Sequence, residues 1–208
     1  MKILIADDHT IVRTGLKQLL REEFPDSQIT EVSDGHLLLK EIRRQTFNIV
    51  ISDMSMPGIS GLEALKQLKE EFPKLPVLIL TMHPEDQYAI RVLRAGASGY
   101  INKDTAADDL IKAVRQIING KRYISPAVAD KLAESLDLDS AKAMHETLSD
   151  REFAVLKLIA SGKVVSEIAE MLSLSVATIS TYRARLLEKM QMKNNAELTR
   201  YALDNKLV

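Results

Sequence analysis

The chain has 208 residues, enough for one large domain or two small ones. Its hydrophobic share of 46% and charged share of 27% are those of an ordinary folded soluble protein. The absence of cysteine excludes disulfides and thiolate metal sites and fits a reducing cytosol.

No apolar run approaches the ~20 residues needed to cross a bilayer, and the apolar N-terminal stretch ends at Asp7, too soon for a secretory signal. The net charge of −1 hides a split. Residues 1–147 hold 19 Lys and Arg against 22 Asp and Glu, whereas residues 148–208 hold 9 against 7. Two parts that meet different partners are compatible with that split, which alone decides nothing.

Short aliphatic runs at 2–6, 28–32, 48–52, 77–81 and 98–101 predict buried parallel strands. Amphipathic stretches at 10–23, 35–45, 61–72, 85–95 and 105–119 predict the helices between them. Such alternation implies βαβ units and a parallel sheet covered on both faces. Ser60-Gly61-Leu62-Glu63 has the spacing of a capping box, and Thr105 to Asp108 is a variant of it. Gly96 and Gly120 stand where helix C-caps are expected.

From Gly120 to Glu146 the pattern breaks, and Ser125-Pro126 predicts a short helix through Leu136 within a linker. All later signals are helical. Ser149-Asp150-Arg151-Glu152 opens a helix to Ser161, stopped at Gly162. Helices follow at 165–172 and 176–190 around the turn Ser173-Leu174-Ser175, and a last one runs from Asn194 or Asn195 to Lys206.

The chemistry-bearing residues stand at strand ends. Asp7 and Asp8 close the first run, Asp53 the third, Thr81 the fourth, and Lys103 follows the fifth. Ligands of an open α/β sheet bind just outside the carboxyl ends of its strands, so three acids meet in one crevice. Two carboxylates ~4 Å apart repel by about 4 kcal/mol at an effective dielectric of 20, so the site calls for a cation. Oxygen ligands select a hard ion, and Mg²⁺ suits few carboxylates, several waters and a phosphate. Asp53 is then the nucleophile that forms an aspartyl-phosphate, with Lys103 and the Thr81 hydroxyl binding phosphoryl oxygens. Each of these residues alone reads equally as a cap or loop residue; their conjunction carries the reading.

Residues 1–120 resemble the receiver domain of bacterial two-component response regulators. The resemblance lies in Asp7-Asp8, in Asp53 within Asp-Met-Ser-Met-Pro-Gly-Ile-Ser-Gly, and in Thr81, Tyr100 and Lys103. It implies a doubly wound five-stranded parallel sheet of flavodoxin-like order 2-1-3-4-5 and phosphorylation of Asp53 by a sensor histidine kinase. It also implies Mg²⁺ held by Asp8, Asp53 and the Ser55 backbone carbonyl, with Asp7 assisting through water, and Tyr100 as an aromatic switch moving with Thr81. Ser55 and His83 would tune phosphoryl lifetime. A rival is a phosphohydrolase of the haloacid-dehalogenase type, also built on Mg²⁺ and an aspartate nucleophile. That chemistry needs a general acid two residues after the nucleophile, where this chain has Ser55. The reading is therefore a regulator and not an enzyme.

In residues 147–208 two short helices joined by a brief turn form a helix-turn-helix. Val176, Ile179, Leu186 and Met190 share one face of the third helix and are expected to be core. Ala177, Thr181, Ala184, Arg185 and Glu188 lie opposite, flanked by Thr178 and Ser180. Small residues allow close approach to base edges, and Arg185 suits guanine; Ser175, Lys189 and Lys193 suit phosphates. A solvated bundle face is the alternative.

Thr147 to Glu152, Glu167-Ile168-Ala169 and Ala177-Thr178-Ile179 resemble the helix-turn-helix of LuxR-type regulators. Receiver plus this module is the architecture of the NarL/FixJ branch: residues 1–120, a linker over 121–146, and an all-α DNA-binding domain over 147–208. Many relatives carry lysine at the position of Ser180. The resemblance implies double-stranded DNA as partner, transcription regulation in the cytoplasm, and RNA polymerase as a further candidate partner. A module with few phosphate contacts binds weakly alone, so a homodimer formed on phosphorylation is expected to read paired half-sites. The histidines, His9, His36, His83 and His145, share no ligand spacing and read as surface residues.

Overall fold

The computed structural model describes residues 1–82, 85–103, 106–126, 128–130, 144–205 and 207–208, without the side chains of 85–87, 106–108, 146 and 150. The chain forms two compact units, Met1–Asp137 and Leu138–Val208.

In the first unit five strands alternate with five helices: β1 (Lys2–Ala6), α1 (Thr10–Glu23), β2 (Gln28–Val32), α2 (Gly35–Arg44), β3 (Ile49–Asp53), α3 (Gly61–Glu71), β4 (Val77–Thr81), α4 (Glu85–Arg94), β5 (Gly99–Asn102) and α5 (Ala106–Ile118). All pairings are parallel and the order is β2-β1-β3-β4-β5. The chemistry of the runs explains the layers. Every residue of β3 and β4 is buried, as befits strands covered on both faces, whereas edge strand β2 keeps partial exposure. Ile3, Ile5, Ile49, Ile51, Leu78 and Leu80 pack with Leu16 and Leu20 of α1 and Leu110, Val114 and Ile117 of α5. Leu4, Val50 and Ile79 point the other way and are equally buried.

The order reverses at β1, whose neighbours are β2 and β3, and that reversal opens a crevice at the carboxyl ends of β1 and β3. The Ser60–Glu63 capping box is complete, and Gly96 and Gly120 adopt left-handed φ of 98° and 78°. The capping variant at Thr105–Asp108, the expected helix beyond residue 130, most of the linker, His83 and Lys206 fall outside the described residues and side chains. Residues 126 and 128–130 are helical, with the Ala129 N–H donating to the Ser125 carbonyl at 2.9 Å. One feature of the presumed linker is part of the sheet. Tyr123 bridges Gly99 in parallel fashion and packs on the core, its N–H donating to the Ser98 carbonyl at 2.9 Å.

Among its described residues the second unit holds a 3₁₀ turn (Met144–Thr147) and four helices: α6 (Asp150–Ala160), α7 (Val165–Met171), α8 (Val176–Lys189) and α9 (Asn195–Asp204). Ser149 and Glu152 complete the capping box of α6, and Gly162 ends it with φ of 81°. Between α7 and α8 the chain turns at Ser173, φ 52°, and Ser175 caps α8 by accepting from the Thr178 N–H at 3.0 Å. Phe153, Leu156, Ile168, Ile179, Leu186, Met190, Leu198 and Ala202 form the core. Val176 is a correction: at 53% exposure it is no part of the expected stripe. It opens the helix, where its Cβ tilts toward the N-terminal end and not back over a preceding turn. His145 is a second correction. It is half-buried, with its ring 6.0 Å from that of Phe153 and its Nδ1 3.0 Å from the Tyr201 hydroxyl.

Candidate functional site

Sheet register assembles the crevice. Ala6 pairs with Ser52, so the next residues, Asp7 and Asp53, emerge side by side. Asp53 pairs with Leu80, one before Thr81, and Thr81 pairs with Asn102, one before Lys103. Four strands in register thus end in two acids, a hydroxyl and an ammonium. Asp7, Asp53 and Thr81 are 1%, 2% and 0% exposed.

The Lys103 ammonium lies 2.7 Å from Asp7 Oδ2 and 3.0 Å from Asp53 Oδ2. Burial pushes the Asp53 carboxyl above the usual carboxylate range; Asp7 adds to this, while Lys103 and the Ser55 backbone N–H oppose it. Burial pulls Lys103 down, but its bonds to Asp7 and Asp53 outweigh that and hold it above the ordinary lysine value. Asp7 Oδ2 and Asp53 Oδ2 are buried with the Lys103 ammonium as their partner.

Asp8 stands at the rim, more exposed than Asp7 or Asp53. Carboxylate oxygens of Asp7, Asp8 and Asp53 and an imidazole nitrogen of His9 all lie within 4.8 Å of one another. Three carboxylates face one ammonium, which leaves an excess of negative charge. That donor set fits a hard divalent ion. Arg13 braces the rim by donating to the Asp7 carbonyl at 2.6 Å. Ser55 is exposed beyond β3, and Tyr100 is buried in β5 at 2%.

Gly61 permits the close approach of α3 to Asp53. A Cβ there would sit 2.0 Å from the Asp53 carbonyl oxygen. Its own N–H donates to the Met54 carbonyl at 3.0 Å, tying the helix start to the end of β3.

On α8, Ala177, Ser180, Thr181, Ala184, Arg185 and Glu188 are exposed and Thr178 is half-buried. Ser180 and Thr181 donate their hydroxyls to the carbonyls of Val176 and Ala177, at 2.9 and 3.0 Å, which leaves their oxygen lone pairs outward. Ser175 is spent partly on capping, and Lys193 is exposed. Lys189 differs from the other candidates. Its ammonium lies 2.7 Å from Glu152 Oε2, a carboxylate buried at 2% in the capping box of α6. Burial would raise the Glu152 carboxyl, but Lys189 and Ser149 overcome this and hold it below the usual range. Sequence reasoning assigned Lys189 to phosphate; the ion pair gives it a role between helices. Nothing in the spacing linked residues 37 apart. His9 is the surface residue expected, 66% exposed, with its ring beside the Asp7 and Asp8 carboxylates.

The pattern of the response regulator receiver domain matches residues 3–115, and that of the bacterial regulatory proteins of the luxR family matches residues 146–202. Along its length the chain is 33% identical to the response regulator UvrY of Escherichia coli, over 98% of this chain and 94% of that one. It is 38% identical to the oxygen regulatory protein NreC of Staphylococcus carnosus, over 100% and 99%. Among solved structures, the RcsB response regulator of Salmonella typhimurium matches with TM-score 0.62 and 31% identity, over 97% of this chain and 98% of that one. A complex of RcsB with DNA matches with TM-score 0.60 and 32% identity, over 97% and 96%.

Proposed function

Since the chain belongs to the two-component response regulators that join a receiver domain to a LuxR-type DNA-binding domain, a family of transcription regulators and not of enzymes, we propose that Asp53 accepts a phosphoryl group from a sensor histidine kinase and thereby controls DNA binding. The working divisions are 1–120 as receiver, 121–146 as linker and 147–208 as DNA-binding domain.

Asp53 attacks phosphorus as the bond to the donor nitrogen breaks. Asp8, Asp53 and the Ser55 carbonyl, with Asp7 assisting through water, would hold Mg²⁺, which when bound would supply charge neutralisation for the incoming group. Lys103 and Thr81 then bind phosphoryl oxygens, and Tyr100 follows Thr81. What supports this is the register that ends four strands in Asp7, Asp53, Thr81 and Lys103, together with the buried Lys103 ion pairs.

Charge-assisted bonds to Thr81 and Lys103 are worth ~1.5–3 kcal/mol each, comparable in sum with the ~5.5 kcal/mol that swings an equilibrium from 1:99 to 99:1. The equilibrium is between monomer and a homodimer that reads two half-sites about one helical turn apart. Arg185 reads a base, with Thr178, Ser180, Thr181 and Ala184 at the base edges; Ser175 and Lys193 contact phosphates, as would Lys189 if it left Glu152. The protein works in the cytoplasm, on double-stranded DNA and beside RNA polymerase. A parallel is the structure of RcsB from Salmonella enterica bound to promoter rprA in the presence of the phosphomimetic BeF3−. Gel-shift titration with and without beryllofluoride tests the proposal: the mimic is expected to tighten binding by wild type and leave Asp53→Ala unchanged. Equal affinity of wild type in both states refutes it.

A further inference from the structure

We propose that Val176, outside the DNA contacts assigned above, reads the 5-methyl group of a thymine in the major groove. This rests on α8 being the recognition helix, and it adds an apolar base contact to the polar one of Arg185.

Val176 is 53% exposed at the first position of α8. Single exposed valines are common, but this one stands where the second helix of a helix-turn-helix meets base edges, at its N-terminal end. Its Cβ tilts toward that end. The helix start is fixed in place: the Ser175 hydroxyl oxygen accepts from the Thr178 N–H at 3.0 Å and lies 2.8 Å from the Thr178 hydroxyl. One turn on, Ser180 donates its hydroxyl to the Val176 carbonyl at 2.9 Å. Residues a turn apart are separated by about 5.4 Å along the axis, more than one base-pair step of about 3.4 Å, so Val176 and Ser180 face different base pairs.

Neither local preference nor packing accounts for a valine here. The first turn of a helix favours an acid, and Glu167 and Glu197 supply one on α7 and α9. Helix α8 has none there and opens on the exposed pair Val176 and Ala177. Valine is also a poorer helix former than alanine or glutamate. From Met171 to Leu187 the chain has no acidic side chain, while Arg183 and Arg185 are present. That charge pattern admits phosphates. Apolar side chains in the major groove match the thymine methyl, which Val176 can cover with its two methyls. A protein partner fits the surface less well, since stable interfaces bury about 800 Å² a side and one valine with two alanines supplies only a fraction of that.

The test uses the full chain with beryllofluoride and a duplex that it selects from a random pool. Thymines of that duplex are replaced one at a time by 2′-deoxyuridine, which removes the methyl and keeps the pairing. One buried methyl is worth about fourfold in affinity. One thymine in each half-site is therefore expected to weaken wild type by about fourfold when replaced. The same replacement should cost Val176→Ala less than about twofold, while Val176→Ile keeps the wild-type sensitivity. The alanine variant also controls for any change in duplex shape, and equal Tm values of the three proteins control for folding. If no thymine shows the loss, or if Val176→Ala shows it in full, the Val176 contact is overturned, while preference for the selected duplex over a scrambled one leaves the DNA reading of α8 standing. Equal wild-type affinity for selected and scrambled duplexes overturns both.

Discussion

Neutralising Asp53 should stabilise the receiver when metal is absent and destabilise it, relative to wild type, when metal is present. Asp53 is 2% exposed beside Asp7, with Lys103 3.0 Å away. At ~4 Å and an effective dielectric of 20, carboxylate repulsion and each ammonium attraction are both about 4 kcal/mol. The cost of taking the ions out of water, several kcal/mol for each, then decides the sign. The raised Asp53 carboxyl means that burial wins over the ion pair. Asp53→Asn keeps the shape, removes that cost, and leaves Lys103 paired with Asp7 at 2.7 Å. We expect a gain of roughly 1–2 kcal/mol, or a Tm higher by about 3–8 °C for a unit of this size.

Mg²⁺ reverses the order. An ion at a hundred times its Kd adds about 2.7 kcal/mol to whatever binds it, and the asparagine variant has lost the charge that holds it. Thermal unfolding of the receiver transition, in chelator and then in excess MgCl₂, should show the curves of wild type and Asp53→Asn exchanging places. The pH dependence has a fixed sign. A carboxyl raised in the folded state makes the native protein hold the proton more tightly, so its cost is absent below the ordinary value of ~3.9 and grows as pH rises through the folded value. The advantage of the variant in chelator should therefore fade on acidification. A wild type more stable than the variant in chelator at neutral pH, or equal Mg²⁺ shifts in both, would refute the reasoning.

Other perturbations have equally definite outcomes. Gly61→Ala forces a Cβ to within 2.0 Å of the Asp53 carbonyl oxygen, so we expect a loss of ~1–3 kcal/mol and slower labelling by acetyl phosphate. Arg185→Ala should lose ~1–3 kcal/mol on the preferred site and relax preference at one base, whereas Lys193→Ala should weaken all sequences alike and reduce the salt slope by about 1. Lys189→Met should leave that slope unchanged but lower the stability of the second unit by ~1–3 kcal/mol, since it strands the buried Glu152 carboxylate; urea unfolding measures it. Because the Glu152 carboxyl is held low, its contribution is present above the ordinary carboxyl value and is lost as pH falls through the folded value.

The first unit was legible because each signal was local and repeated. Five aliphatic runs, each closed by a polar residue, led directly to β1 through β5, and the Ser60–Glu63 box marked a helix start, as Ser149–Glu152 did in the second unit. Tyr123 was missed because a single bridging residue has no period to detect. Val176 was misassigned for a related reason: face counting treats a helix as endless and ignores that its first residue overhangs the core. The Lys189–Glu152 pair depends on how α6 and α8 pack, which no spacing within one helix can reveal.

The same limit explains why the crevice was legible and the recognition face less so. A parallel sheet fixes the distance between strand ends through its register. Residues one step past Ala6, Ser52, Leu80 and Asn102 must therefore be neighbours however far apart they are in sequence. No such rule fixes what an exposed helix face meets. Ala177, Ala184 and Thr181 gain meaning only from the surface brought against them, and a small uncharged side chain there permits many sequences where a lysine would select few. On the proposed reading of α8, specificity would rest on Arg185 and on the shape and spacing of paired half-sites, not on a charge at Ser180. Binding selections on wild type should return sites constrained more in half-site spacing than in base identity opposite Ser180; a single invariant base there would contradict that division.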